Sequence, residues 1–186
     1  MSIDARPPRR FTTIDSPVGT LTLTASAGAI DGLFMEGQRH APQASAPQDA
    51  ADWVREEAPF ATLADQLERY FTGEAVEFDV PLRARGTPFQ ERVWAALREI
   101  PHGATISYGE LARRLGTPGA SRAVGLANGR NPIAIVIPCH RVIGADGSLT
   151  GYGGGLERKA WLLRHESARR GAVGHRSSIA AGALLV

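Results

Sequence analysis

The sequence predicts a mixed α/β protein, α+β in arrangement, with a small strand-rich N-terminal unit and a helical C-terminal unit. Three observations carry that expectation. Residues 11–35 alternate in hydropathy between turn signals, capped helical segments follow one another from residue 86, and the charge changes sign between the two stretches. Residues 1–82 hold 6 Lys/Arg against 13 Asp/Glu, whereas residues 83–170 hold 14 against 6. The split reads as two units, the second drawn to polyanions. At 186 residues the chain is long enough for one sizeable core or two small ones.

Each element follows from its own signals. "FTTID", "LTLTA" and "AIDGLFM" are separated by "SPVG" and "SAG". Leu21, Leu23 and Ala25 alternate with threonines, the pattern of a half-buried strand, so the stretch reads as a three-stranded meander. Residues 36–51 are rich in Pro, Gln and Ala and read as a loop. Residues 59–72 read as a helix, with Leu63, Leu67, Tyr70 and Phe71 on one face and Gly73 ending it. "VEFDVPL" is a further strand or an extended crossover.

The second unit opens with "TPFQERVWAALREI". Thr87 is the N-cap, Pro88 takes the first helical position, and Gln90 closes a capping box. Phe89, Val93 and Leu97 then line one face. "SYGELARRLG" starts with a second box, Ser107 with Glu110, and stops at Gly116. "TPGASRAVGLANG" starts again at Thr117-Pro118 and stops near Gly129. Two short helices joined by "GTPG" match a helix-turn-helix, a spacing that ordinary helical hairpins share. "NPIAIVIP" reads as a buried strand or extended segment, "GYGGG" as a flexible loop, and "LERKAWLLRHES" as a final amphipathic helix. Residues 171–186 read as a frayed, flexible tail.

Composition removes several classes. Hydrophobic residues make up 43% and charged residues 22%, as in globular proteins. No run approaches the ~20 apolar residues of a membrane span. "MSIDARPPRRFTTID" has no apolar stretch after its charges, so no secretory signal is expected. A single cysteine forms no internal disulfide and cannot alone supply a structural zinc site, which points to a reducing cytoplasm.

That cysteine, Cys139, lies in "IVIPCHRVIG". Free cysteines are often small buried hydrophobes, and the preceding "IAIVI" fits that reading. Pro138 stiffens the approach, however, and the polar pair His140-Arg141 follows at once. A nucleophilic thiol needs that combination of rigid scaffold and nearby base. In extended chain, neighbours point to opposite faces, so a direct Cys139–His140 bond needs a turn; otherwise a bridging water carries the proton. Glu166 is a candidate to orient the histidine.

"IPCHRVIG", with "SYGELARRLG" and "SRAVGLANGRNPIAI" before it and "GYGGGLERKAWLLRHE" after it, closely resembles the O6-alkylguanine-DNA alkyltransferases from about residue 86 to 167. The first 85 residues match loosely, through "IDSPVGTLTL". The resemblance implies a small ribonuclease H-like α/β domain over 1–85 with a three-stranded sheet. It implies a helical domain over 86–170 with a winged-helix-like helix-turn-helix. It also implies direct DNA repair, in which an alkyl group moves once and irreversibly from O6 of guanine in duplex DNA to the cysteine, with no cofactor. Cys139 matches the acceptor, His140 the base acting through water, and Glu166 the carboxylate behind it. Asn131 matches the asparagine tying the segment after the recognition helix to the active-site turn. Tyr108 matches the tyrosine whose hydroxyl assists the departing guanine. Arg122 matches the arginine that enters the stack, while Val142, Tyr152 and Gly153 match the base-pocket walls.

The chemistry agrees with that implied role. A target inside a duplex must be flipped out, at a cost of a few kcal/mol. "SRAVGLANG" presents a smooth face of Ala123 and Ala127, suited to sequence-tolerant contact, and the resemblance implies that this helix enters the minor groove. The expected partner is double-stranded DNA carrying O6-alkylguanine. The protein is expected to be a cytoplasmic monomer, with clustering on DNA left open. The absence of cysteines outside Cys139 argues against the structural zinc of some relatives and the metal domain of regulatory ones. Gly153 stands where many relatives have serine, so a hydroxyl contact is lost and the loop is freer. Two other classes remain at this stage. A non-catalytic lesion sensor or regulator would use only the helix-turn-helix. A Cys–His hydrolase would turn over many times and need an oxyanion hole.

Overall fold

The computed structural model describes residues 9–39 and 53–174. Strands β1 (Arg9–Ile14), β2 (Leu21–Ser26) and β3 (Ala29–Met35) form the antiparallel meander read from their alternation. Leu21, Leu23 and Leu33 are fully buried. A register shift between Thr24 and Ala25 breaks the alternation, so both side chains turn inward. Thr24 stays satisfied by donating to Asp31 Oδ1 at 2.6 Å. The β2–β3 turn puts Ala27 (φ 47°) and Gly28 (φ 76°) in the left-handed region, as a two-residue hairpin requires.

A fourth strand, β4 (Trp53–Arg55), pairs parallel with β1, giving the order β3-β2-β1-β4. It extends the expected three-stranded sheet. Three half-exposed or exposed residues carry no readable alternation, and Trp53 is held by edge-to-face packing on Phe11, 6.2 Å between centroids. Residues 40–51 of the expected loop lie outside the described residues.

Helix α1 (Ala61–Phe71), after a 3-10 turn at Ala58–Phe60, buries Leu63, Leu67 and Tyr70 as its spacing requires. Gly73 (φ 92°) terminates it. "VEFDVPL" is an extended crossover whose end borders β3: Ile30 N donates to Pro81 O at 2.8 Å and Arg83 N to Ile30 O at 2.8 Å.

Helix α2 (Pro88–Arg98) has both halves of its Thr87–Gln90 capping box. Strand β5 (Ile106–Ser107) leads into α3 (Tyr108–Arg114). Ser107 caps Glu110 N at 3.1 Å, but the reciprocal half is not formed. The Glu110 carboxylate pairs instead with Arg113 and Arg114, whose charges outbid a neutral amide. Helix α4 spans Ser121–Gly129, so Thr117-Pro118 belongs to the preceding turn rather than to the helix start. Ala120 N returns to Thr117 O at 3.0 Å, and Gly119 takes φ 92°.

"NPIAIVIP" is not a strand. Leu33 N donates to Pro132 O and Ala134 N to Leu33 O, one bridge to β3. The chain then coils, with Ile135 at φ 68° and Ile137 N reaching back to Ile133 O. A buried apolar run has no polar face to reveal its period, so hydropathy alone could not separate strand from turn. A β-branched residue at positive φ is strained and persists only where packing over-determines it. Here Ile133, Ala134, Ile135, Val136 and Ile137 are all buried.

A 3-10 turn at Cys139–Arg141 leads to β6 (Val142–Ile143), paired parallel with β5. Helix α5 runs from Leu156 to Gly174, taking in the first four residues of the expected tail; residues 175–186 lie outside the described residues. The apolar core is continuous from Leu23 and Leu33 in the sheet through Ile133 to Leu97, Val124 and Val142. The Cys139 turn is therefore anchored in a core shared by both halves.

Candidate active site

The 3-10 turn supplies the bend at Cys139, yet His140 does not bond the thiol. Cys139 is 5% exposed, and its sulfur accepts from Asn131 Nδ2 at 3.0 Å. The same amide donates to Ile137 O at 2.7 Å, and Asn131 Oδ1 accepts from Ile133 N at 3.0 Å. Asn131 thus pins the strained segment from both ends. Asn128, on the last turn of α4, donates to Cys139 O at 3.2 Å.

His140 is fully buried, and its Nε2 meets Glu166 Oε1 at 2.8 Å. Glu166, from α5, also accepts from Tyr70 Oη and Gly103 N at 2.9 Å each, and from Arg141 Nε (2.8 Å) and Nη2 (2.9 Å). Arg141 Nη1 completes its fork on Ile100 O at 2.6 Å. Burial opposes ionisation of Glu166, but the hydrogen bonds from His140 and Arg141 and the Arg141 charge outweigh it and hold the carboxyl well below its usual range. An ionised Glu166 accepts, so His140 Nε2 carries the proton. Burial also lowers the His140 pKa, against the pull of Glu166, so the ring is neutral near pH 7. Its Nδ1 is then an acceptor, buried and with no protein partner. A neutral imidazole with one free basic nitrogen can take a proton from a thiol.

The thiol needs that help. Burial pushes Cys139 up to about 11, against the Asn131 hydrogen bond and the charge of Lys159. Lys159 is fully buried on α5, and its Nζ donates to Val142 O and Thr150 O at 2.6 Å each. Desolvation pulls it down to about 8, which leaves it charged near neutrality. Among the described residues it has no carboxylate partner. Replacing it as Lys159→Met is expected to slow alkylation of Cys139 by iodoacetamide several-fold at pH 8. An unchanged rate would show that its charge does not act on the sulfur.

The remaining sequence-predicted residues fall in distinct places. Tyr108 opens α3, half-buried, and donates to Thr150 O at 2.9 Å. Burial, and then the neighbouring Cys139, raise its pKa, so the hydroxyl keeps its proton. Val142 is fully buried behind the turn. Tyr152 and Gly153 line a cleft of about 650 Å³ with Gly125, Leu126 and Gly129 of α4; Cys139 and Val142 do not line it. Arg122 and Ala123 are exposed on α4. Ala127 is not: it is 2% exposed, and Trp94 Nε1 donates to its carbonyl at 2.9 Å. It packs against α2 because the face of α4 that meets α2 carries Val124, Ala127 and Asn128. Ala127→Leu is therefore expected to cost about 1–3 kcal/mol of stability by overpacking. Ala123→Leu should leave the melting temperature unchanged, and equal losses in the two variants would contradict this assignment.

Sequence reasoning missed Lys159, Asn128, Tyr70 and the role of Arg141. Helical periodicity assigns a lysine to the solvent face, and only the turn packed on α5 reverses that. Arg141 had a signal, its place beside His140, but no partner could be named for it.

Comparison with known proteins agrees with this architecture. Residues 10–84 match the profile described as 6-O-methylguanine DNA methyltransferase, ribonuclease-like domain. Residues 88–168 match 6-O-methylguanine DNA methyltransferase, DNA binding domain. The methylated-DNA–protein-cysteine methyltransferase of Mycobacterium tuberculosis is 54% identical over 159 residues, covering 86% of this chain and 93% of the relative. That of Methanosarcina acetivorans is 50% identical over 160 residues, covering 84% and 97%. The crystal structure of Mycobacterium tuberculosis OGT in complex with DNA superposes with a TM-score of 0.77 at 52% identity, covering 86% of this chain and 94% of that one. With its sheet, its buried Cys139–Asn131 and His140–Glu166 pairs and these relatives, the chain belongs to the 6-O-methylguanine DNA methyltransferase family.

Proposed function

We propose that the protein repairs alkylated DNA directly, transferring an alkyl group from O6 of guanine in duplex DNA to Cys139 in a single irreversible turnover. The observation that carries this is the buried set of Cys139 on Asn131 with a neutral His140 held by an ionised Glu166. The sulfur attacks the alkyl carbon. The S–C bond forms as the C–O6 bond breaks, and the bonding pair leaves on the guanine. The thiol proton passes to His140 Nδ1 through a water and is finally returned to the base. Tyr108, which keeps its proton, donates to the departing guanine and lowers the barrier. The product is a thioether, which nothing in the set can cleave, so one equivalent is the limit.

DNA binding is supported by the matched DNA-binding domain and by the DNA complex of the Mycobacterium tuberculosis relative. Exposed Arg122 and Ala123 on α4 fit a minor-groove approach, in which Arg122 fills the gap left by the flipped base. Val142, Tyr152 and Gly153 would bound the base. We place the domain boundary near residue 85 and read the protein as a cytoplasmic monomer. A sensor without chemistry has no need of a thiol held in such a network.

Stoichiometry tests the reading. Mixed with increasing duplex carrying O6-methylguanine, the protein should restore guanine up to one lesion per protein and stop. Continued turnover beyond one equivalent would favour a hydrolase, and binding without restoration would favour a sensor.

A further inference from the structure

Arg158 carries a charge that no carboxylate answers among the described residues. It lies in the first turn of α5, half-buried, and its guanidinium is spent on three backbone carbonyls. Nε donates to Val18 O at 2.8 Å, and Nη1 donates to Glu36 O at 2.7 Å and Gly154 O at 3.2 Å. Val18 belongs to the β1–β2 turn, Glu36 follows β3, and Gly154 belongs to the glycine loop that borders the cleft. One planar fork therefore joins two N-terminal segments to that loop, a geometry that a lysine's point charge does not reproduce.

Other contacts converge on the same junction. Arg39 N donates to Gly153 O at 2.9 Å, and the Tyr152 hydroxyl lies 3.8 Å from Met35 Sδ. A Cβ on Gly154 would come within 2.7 Å of Met35 Sδ, so the loop closes on the end of β3 because residue 154 is glycine. On its other side, a Cβ on Gly153 would lie 3.2 Å from Gly129 O of α4. The loop is clasped between α4 and the N-terminal half. Just before it, Thr150 O receives both Tyr108 and Lys159.

We propose that Arg158 is a positioning residue that braces the 151–155 loop against the N-terminal half, making residues 16–19 and 35–39 part of the scaffold that shapes the base pocket. This rests on the repair reading above. The N-terminal half thereby acts on base placement through the loop, whose cleft Gly37 and Arg39 also line. Loosening the brace should misplace the base relative to the sulfur and leave the Cys139–His140–Glu166 set intact.

The test is single-turnover transfer from O6-methylguanine duplex, measured against duplex concentration for wild type, Arg158→Met and Arg158→Lys. Arg158→Met is expected to lower the saturating rate about ten- to a hundredfold, the scale of a misplacement near 1 Å. Duplex affinity and the iodoacetamide rate of Cys139 should stay at wild-type values, and Lys should recover part of the loss. Gly154→Ala, which keeps Arg158 but forces Met35 Sδ and the Tyr152 ring to shift, should show the same split. Wild-type saturating rates in both Arg158→Met and Gly154→Ala would overturn the brace, as would a parallel fall in iodoacetamide reactivity, the mark of general loosening. A wild-type chain that transfers nothing would overturn the repair reading itself.

Discussion

Cys139→Ser is expected to abolish alkyl transfer while leaving affinity for O6-methylguanine duplex little changed. Serine keeps the shape of the turn and still accepts from Asn131 Nδ2, so the 3-10 turn at Cys139–Arg141 should persist. What is lost is the nucleophile. A thiol pushed up to about 11 by burial is still within reach of a histidine base assisted by Asn131 and Lys159, whereas a hydroxyl is a far weaker acid. The exposed residues of α4 are untouched, so binding should survive. Lesion removal by the serine variant at the wild-type rate would exclude Cys139 as the acceptor.

Glu166→Gln is expected to cost about 3–5 kcal/mol of stability and most of the transfer rate, because it leaves the buried Arg141 charge without its counter-ion. The carboxylate accepts from Tyr70, Gly103, His140 and Arg141 together, and an amide can satisfy only some of them. It also no longer dictates which His140 nitrogen holds the proton. The pH dependence should carry the same signature. His140 and Glu166 both have folded pKa values below their ordinary 6.5 and 4.5. Each contribution is complete above the ordinary value and is lost as pH falls from there toward the folded value. Wild-type stability should therefore decline in two stages, below pH 6.5 and again below pH 4.5, and the second should flatten in Glu166→Gln. The transfer rate should hold steady near neutrality and fall only once His140 charges, below pH 6.5. A wild-type rate that is already falling between pH 8 and 7 would count against a neutral His140 as the base.

Where local chemistry decided the structure, it could be read in advance. Thr87, Pro88 and Gln90 name a helix start in three residues, and Leu21 and Leu23 mark a strand by alternation. The reading weakened where distant partners decided. Strand β4 exists because β1 offers it an edge. Residues 132–138 coil because Leu33 gives them one bridge and packing fixes the rest. Thr117-Pro118 has the look of a helix start, but the GTPG turn needs those residues for itself. The candidate site divides the same way. Cys139 was marked by Pro138 and His140 beside it; the structure puts Asn131 on its sulfur and pairs His140 with Glu166. Ala127 was misplaced because a small residue on a helix serves a packed face and an open one equally well. Lys159 was invisible because its burial depends on two carbonyls, Val142 and Thr150, that only the folded turn brings to it.

Intact-protein mass after mixing with excess duplex containing O6-methylguanine tests the central claim most directly. The expected result is a gain of one methyl group, saturating at one per protein and mapping to Cys139 in the peptide digest. No gain in mass while the duplex stays bound, or a methyl group on any other residue, would contradict it.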